Sequence, residues 1–158
     1  MSRSSRVIIR LVLVGLISIM LYTQGDGSAS TRTSGAAPFP RIPRVKEPAA
    51  EPAAIEETYR FVAEHPEIAR YVPCFCACSR TKHHRSIEDC FVKSRHSDGT
   101  VAAWTGHAAE CYICITVAQE AKASYLSGMS TSSIRTHIEK DLSPKFKYHT
   151  DTPLPPAN

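Results

Sequence analysis

The sequence predicts a small, mainly α, cysteine-rich domain of about four to five short helices, set behind an N-terminal apolar helix and a proline-rich linker. Three observations lead there. All six cysteines fall between positions 74 and 114. Across the surrounding segment 53–142 apolar residues recur at helical spacing, Ile55, Tyr59 and Val62 at i, i+4 and i+7, as in a helix with one buried face. On both sides of it the chain is irregular, rich in Pro, Gly, Ser and Ala before it and in Pro and polar residues after it. The 158 residues suit one domain with appendages. Lys and Arg number 19 against 15 Asp and Glu, and the basic residues are scattered among the acidic ones, which argues against a nucleic-acid partner.

Residues 1–24 are expected to be a signal peptide or a signal anchor. Arg3, Arg6 and Arg10 precede an uncharged apolar run of 12 residues, 11–22, which grows to 16 if residues 7–9 join it across Arg10. Positive charge ahead of an apolar stretch holds the N-terminus in the cytoplasm, so the rest of the chain is exported. The small residues "GSAS" at 27–30 offer a cleavage site; uncleaved, the segment is a single anchor contacting the membrane through residues 7–22. No cysteine occurs in the first 70 residues for lipid attachment, and no two arginines of this segment are adjacent as the twin-arginine route for preassembled iron–sulfur clusters requires. Either fate delivers the domain across the membrane to its extracytoplasmic face, tethered or released.

Residues 25–52 read as a linker. Prolines at 38, 40, 43, 48 and 52 favour extended polyproline II, a semi-rigid tether. The domain itself spans 53–142, and 143–158 form an irregular tail. Within the domain, Ile55, Tyr59 and Val62 define a first helix, and Pro66 can open a second that must stop near Val72, ahead of Pro73. A chain reversal begins there. The run Ser86-Ile87-Glu88-Asp89 resembles a capping box opening a helix with Cys90, Phe91 and Val92. "SDG" at 97–99 signals a turn, and "TVAAW" after it a short extended piece. The longest helix is expected over about 105–127, ended by Gly128, and a last one over about 132–141 with Ile134, Ile138 and Leu142 on one side.

Cys74, Cys76, Cys78, Cys90, Cys111 and Cys114 form one device with two principal readings. As staples, the first three would bridge to the last three, because neighbours in C-x-C are poorly placed to bridge each other. A small exported domain gains about 2–4 kcal/mol from each such crosslink. As ligands, thiolates at these spacings converge on a soft ion, copper or zinc, and His107 adds a nitrogen. On a continuous helix His107, Cys111 and Cys114 lie within about 60° of one another around the axis. One bridge plus a four-ligand site is a third arrangement, and no metal is needed if all six are bridged. A catalytic pair at Cys111-x-x-Cys114 is the weakest reading, because a helix over 105–127 buries the pair about two turns from the N-terminus that would acidify a thiol. Haem attachment is excluded, since Ile115 stands where a histidine would be required.

His84 joins the candidate ligands, although adjacent histidines on a basic loop are usually solvated. His65, before Pro66, reads as a capping or packing residue, and His96, His137 and His149 as surface residues. Trp104 is expected to pack its loop against the long helix. Asp89 and Glu110 read as helix-end charges that flank cysteines. No nucleophile–base constellation, phosphate-binding glycine loop or carboxylate pair stands out, so an enzyme is not indicated. Two functions follow: an exported, membrane-tethered Cys/His domain binding a soft metal in metal handling or electron transfer, or a disulfide-stapled accessory subunit of a larger membrane complex of respiratory or photosynthetic type.

"EHPEIARYVPCFCACSRTKHHRSIEDCFV", followed by "AAWTGHAAECYICITVAQEA", resembles the family of exported bacterial proteins named for its PCYCGC motif. The resemblance runs over about 59–140. It rests on His65 to Glu67, on the motif at Pro73 to Cys78, on His84 to Ser86, on Asp89 to Phe91, and on Trp104, His107, Cys111 and Cys114. Phe75 replaces the motif's tyrosine and Ala77 its glycine. The family is functionally uncharacterised, usually lipid-anchored, and commonly supposed to bind metal. The resemblance implies an exported address and a grouping of the six cysteines, and it leaves bridges and metal both open.

Overall fold

A computed structural model describes residues 39–157. The expected apolar helix at 7–22 and the first part of the linker lie outside those residues. Among the described residues no helix is long and apolar enough to cross a membrane. The elements in chain order are α1 (Pro52–Glu64), α2 (Pro66–Ala69), α3 (Cys78–Lys82), α4 (Glu88–Phe91), β1 (Val92–Arg95), β2 (Val101–Trp104), α5 (His107–Glu110), α6 (Tyr112–Leu126) and α7 (Thr131–Leu142). The domain is therefore mainly helical, with more and shorter helices than the four to five expected and with a two-stranded sheet added.

Helix α1 opens at Pro52, whose missing N–H costs nothing in a first turn, and buries Ile55, Tyr59 and Val62 as their spacing predicts. It packs on α6, which in turn packs on α7. Helix α7 starts at Ser130, whose hydroxyl accepts from the Ser133 amide at 3.2 Å, and it buries Ile134, Ile138 and Leu142. Gly128, at φ +84°, turns the chain out of α6 in the left-handed conformation that glycine adopts without strain. Strands β1 and β2 form an antiparallel hairpin pairing Val92 with Trp104 and Arg95 with Val101, its turn carrying Gly99 at φ +86°. The rings of Tyr59, Phe91 and Trp104 meet edge to face, Tyr59 standing 4.8 Å from Phe91 and 5.3 Å from Trp104.

Three local expectations are corrected. The helix expected over 105–127 is broken at Cys111, whose φ of −112° and ψ of 101° are extended. The cause is long-range. The Thr105 carbonyl accepts from the Tyr59 hydroxyl at 2.8 Å, that hydroxyl accepts from the Ala109 amide at 3.1 Å, and the Ala109 carbonyl accepts from the Ala49 amide at 2.8 Å. Backbone groups that a continuous helix would pair internally are thus spent on α1 and on the segment before it. Val92 leaves the helix of Cys90 and Phe91 to begin β1, where a β-branched side chain suits the hairpin. Ser86 forms no cap: Ile87 holds the cap position in helical conformation, and the Asp89 carboxylate accepts from the Arg85 amide at 2.7 Å, one residue before the box.

From Phe39 onward the proline-rich segment lies against the domain. Phe39, Ile42, Val45, Ala49 and Ala50 pack on the core, and the Trp104 indole donates to the Pro40 carbonyl at 2.7 Å. The tail, irregular as expected, folds back over the cysteine motif. The Thr150 amide donates to the Cys74 carbonyl at 2.9 Å, and the Cys74 amide donates to the Thr150 hydroxyl at 2.8 Å. Arg135 of α7 holds the same stretch through the carbonyls of Thr152 and Pro153.

Candidate metal centre

Four segments carry the chemistry to one place. Between α2 and α3 the motif runs through Cys74 and Cys76 in a non-helical stretch that the tail pins from outside. Ala77, where the motif has glycine, sits at φ −61° and ψ −12°, so this position does not need left-handed freedom. Cys78 opens α3. His83, ending α3 at φ 56°, is the one described non-glycine residue with positive φ, and the turn it makes leads into His84. Cys90 stands in α4, whose backbone is tied to β2 by the Thr105 amide, donating to the Phe91 carbonyl at 2.8 Å. His107 opens α5, Cys111 is the break itself, and Cys114 lies in the first turn of α6.

These side chains converge. The Cys74 sulfur is 3.2 Å from that of Cys76 and 3.2 Å from that of Cys90, and the Cys76 sulfur is 3.7 Å from that of Cys114. His107 Nε2 is 3.8 Å from the Cys76 sulfur and 3.9 Å from the Cys114 sulfur, while His84 Nδ1 is 3.2 Å from the Cys90 sulfur. A disulfide brings its sulfurs to about 2.05 Å. None of the five cysteines whose side chains are described is bridged. A tetrahedral ion with metal–sulfur bonds of about 2.3 Å holds its sulfurs about 3.8 Å apart; the Cys76–Cys114 spacing matches that edge, while the two spacings of 3.2 Å are shorter than it and still far longer than a bridge. Two cysteine-containing sets have all ligand atoms within 4.8 Å of one another: Cys74, Cys76, Cys90 and Cys114, and Cys76, His107, Cys111 and Cys114. Each could hold a metal ion.

The environment separates the two sets. Cys74, Cys76, Cys90 and Cys114 are all buried, whereas Cys111, His107 and His84 are partly exposed. Hydrogen bonds from Cys114, then Cys76 and Cys90, hold the Cys74 thiol far below its ordinary range; those from Cys111 and Cys114 do the same for Cys76. Cys114 is pushed the other way, first by its hydrogen bond with Cys111. Cys90 is raised as well, its bond with Cys114 being outweighed by those with Cys74 and Cys76 and by burial. His107 is raised to about 9 by Cys111 and then Cys76, and His84 is lowered by burial and by the neighbouring His107. The thiols and the His107 imidazole are thus coupled to one another through shared hydrogen bonds, and an ion bound by them would have to displace their protons.

Of the expected ligands, the geometry brings together Cys74, Cys76, Cys90, His107, Cys111 and Cys114, with His84 at the edge. The Cys78 side chain lies outside what the structure describes. His107, Cys111 and Cys114 do not share one helical face: they converge across the break. That break also places Cys111-x-x-Cys114 at the start of α6, removing the objection that the pair lies two turns inside a helix. His65 packs on Phe61 and Tyr125 and hydrogen-bonds Glu67 at 2.9 Å, away from the cluster. Trp104 packs its ring on those of Phe39 and Tyr59. Tyr59 and the tail threonines are the site's supporting residues that sequence reasoning missed; neither carries a local signal, since their partners lie 46 to 76 residues away.

A family model described as a protein of unknown function with PCYCGC motif matches residues 24–155. No curated protein and no solved structure matches the chain.

Proposed function

Because the chain belongs to the PCYCGC-motif family, whose function is unknown, its own side chains must carry the argument, and we propose that it is an exported, membrane-tethered domain that binds a soft metal ion in its Cys/His cluster. One observation carries this reading: four buried sulfurs, from Cys74, Cys76, Cys90 and Cys114, lie within 4.8 Å of one another without being paired off. Packing so many thiols together gains little by itself, since each must find a hydrogen-bond partner in an apolar pocket. A d¹⁰ ion resolves the conflict by taking all four.

The donor set suits copper(I) or zinc, for which thiolate and imidazole are the preferred ligands. The buried sulfurs would anchor the ion and the partly exposed His107 and Cys111 would give a partner access to it, an arrangement suited to metal handling or to electron transfer. Export is supported by Arg3, Arg6 and Arg10 ahead of the apolar run at 11–22. Outside the cytoplasm free thiols oxidise, and a tightly held ion protects them.

Elemental analysis together with thiol alkylation and mass spectrometry, on protein purified without reductant or chelator, tests this. A stoichiometric metal lost in Cys114→Ser is expected, with no cysteine bridged among those named. Three bridges and no metal would overturn the reading and leave a stapled accessory subunit.

A further inference from the structure

The cluster contains more donors than one ion can use. Zinc and copper(I) bound by thiolate and imidazole are saturated by four ligands. Six residues occupy the two sets, and each set is complete by itself. They have Cys76 and Cys114 in common and differ in the rest: Cys74 and Cys90 belong to the buried set only, His107 and Cys111 to the partly exposed set only. The common pair is 3.7 Å apart, close to the edge of about 3.8 Å that a tetrahedral sulfur site requires. A sulfur can serve two soft ions at once, because a thiolate has three lone pairs and uses one for each metal it binds. We propose that the centre is binuclear, two soft d¹⁰ ions sharing the Cys76 and Cys114 thiolates, with Cys74 and Cys90 completing the inner ion and His107 and Cys111 the outer one.

The fold supports the division. The inner terminal ligands come from the motif and α4, which the tail and the Phe91–Thr105 link hold; the outer ones come from α5 and the break at Cys111, which Tyr59 and Ala49 hold. The bridging ligands come one from each half, Cys76 from the motif and Cys114 from α6. Loading the centre therefore ties the two halves together. His84, 3.2 Å from the Cys90 sulfur, stands beside the inner ion and outside both four-ligand sets. With both ions in place every thiol of the two sets is coordinated. With one ion, either Cys111 or the pair Cys74 and Cys90 would remain as surplus thiols, at risk of oxidation outside the cytoplasm.

This inference rests on the metal-binding reading, and metal counting separates the two. The full chain, purified in detergent without oxygen and supplied with zinc, is weighed by native mass spectrometry and then exchanged with cadmium for cadmium NMR. The expected result is two ions per chain and two cadmium resonances, coupled to each other through the shared sulfurs. Cys111→Ser, alone or with His107→Ala, should reduce the count from two to one and keep the inner resonance. Cys90→Ser should reduce it to one and keep the outer. Cys76→Ser should disturb both, and the coupling in the unaltered protein stands as evidence even if that variant fails to fold. A single ion in the unaltered protein would overturn the shared centre and leave the metal-binding reading intact, as would one ion alongside a Cys74–Cys90 bridge. No ion at all would overturn both.

Discussion

Tyr59 does at the scale of one residue what no metal ligand does: it sets where the helix breaks. Its hydroxyl donates to the Thr105 carbonyl and accepts from the Ala109 amide, on either side of His107. Burial pushes its ionisation upward, which favours the protonated, donating form. Tyr59→Phe leaves that amide and carbonyl buried without their partner, and we expect a loss of about 1–3 kcal/mol in urea unfolding of the metal-free protein. Metal affinity should fall with it, because α5 is freed to rejoin α6. An unchanged midpoint would show that the hydroxyl does not hold α5. The ligands themselves impose a pH dependence. His107 holds its proton up to about 9 in the apoprotein, and Cys90 and Cys114 are raised. A metal ion bound by these residues would have to displace those protons at neutral pH, so on the proposed reading affinity rises as pH rises from 6 toward 9 and falls as the solution is acidified. Competition against a chromophoric chelator across that range measures the slope, and His107→Ala should both weaken binding and flatten it. A pH-independent affinity would contradict the assignment of these ligands.

At the scale of elements, an ion-pair hub links the hairpin to the helices. The Glu88 carboxylate of α4 accepts from Arg95 Nε of β1 and Arg70 Nε beyond α2, both at 2.8 Å. Arg95 also donates to the carbonyls of Ala63 at 3.1 Å and Gly99 at 2.8 Å, closing the end of α1 over the hairpin turn. Glu88→Gln keeps the shape and removes the charge, leaving the guanidinium of the mostly buried Arg95 unneutralised. About 2–3 kcal/mol should be lost in urea, with the metal count unchanged, since no ligand is touched. A changed count would mean that the hub reaches the cluster. These elements also mark how far the sequence could be read. Helices α1 and α7 were legible because each buries one stripe at helical spacing, and Gly128 was legible because only its left-handed turn ends α6. The hairpin's second strand was seen in "TVAAW", its partner was not: Val92 to Arg95 follow a helix without a break signal. The interruption at Cys111 was illegible for a stronger reason, since the groups that cause it, at Tyr59 and Ala49, lie outside any local window.

For the whole molecule, the spacing of the cysteines announced a common centre, and the remote ends of the chain supply its walls. The segment from Phe39 to Ala50 covers α5 and Trp104 on one side, and the tail covers the motif on the other. Neither has apolar periodicity, so composition alone read both as appendages; each is ordered by bonds to backbone groups that the motif and α5 leave unpaired. The tail is the more consequential of the two. Thr150 exchanges two hydrogen bonds with Cys74, Thr152 hydrogen-bonds Thr150 at 2.7 Å and donates to the Arg85 carbonyl, and the rings of Phe146 and His149 each lie 6.2 Å from that of Phe75. Deleting residues 146–158 should therefore open the motif locally while leaving the packing of α1, α6 and α7 in place. In the metal-free protein, alkylation of Cys74 should accelerate by on the order of tenfold or more, as expected when a protected site gains a low-energy opening. Bound zinc should dissociate faster for the same reason. Thr150→Val, which keeps the side chain's shape and removes the acceptor for the Cys74 amide, should move both rates in the same direction by a smaller factor. Equal alkylation rates in the truncated and full chains would mean that the motif holds its conformation unaided and that the tail serves some other surface.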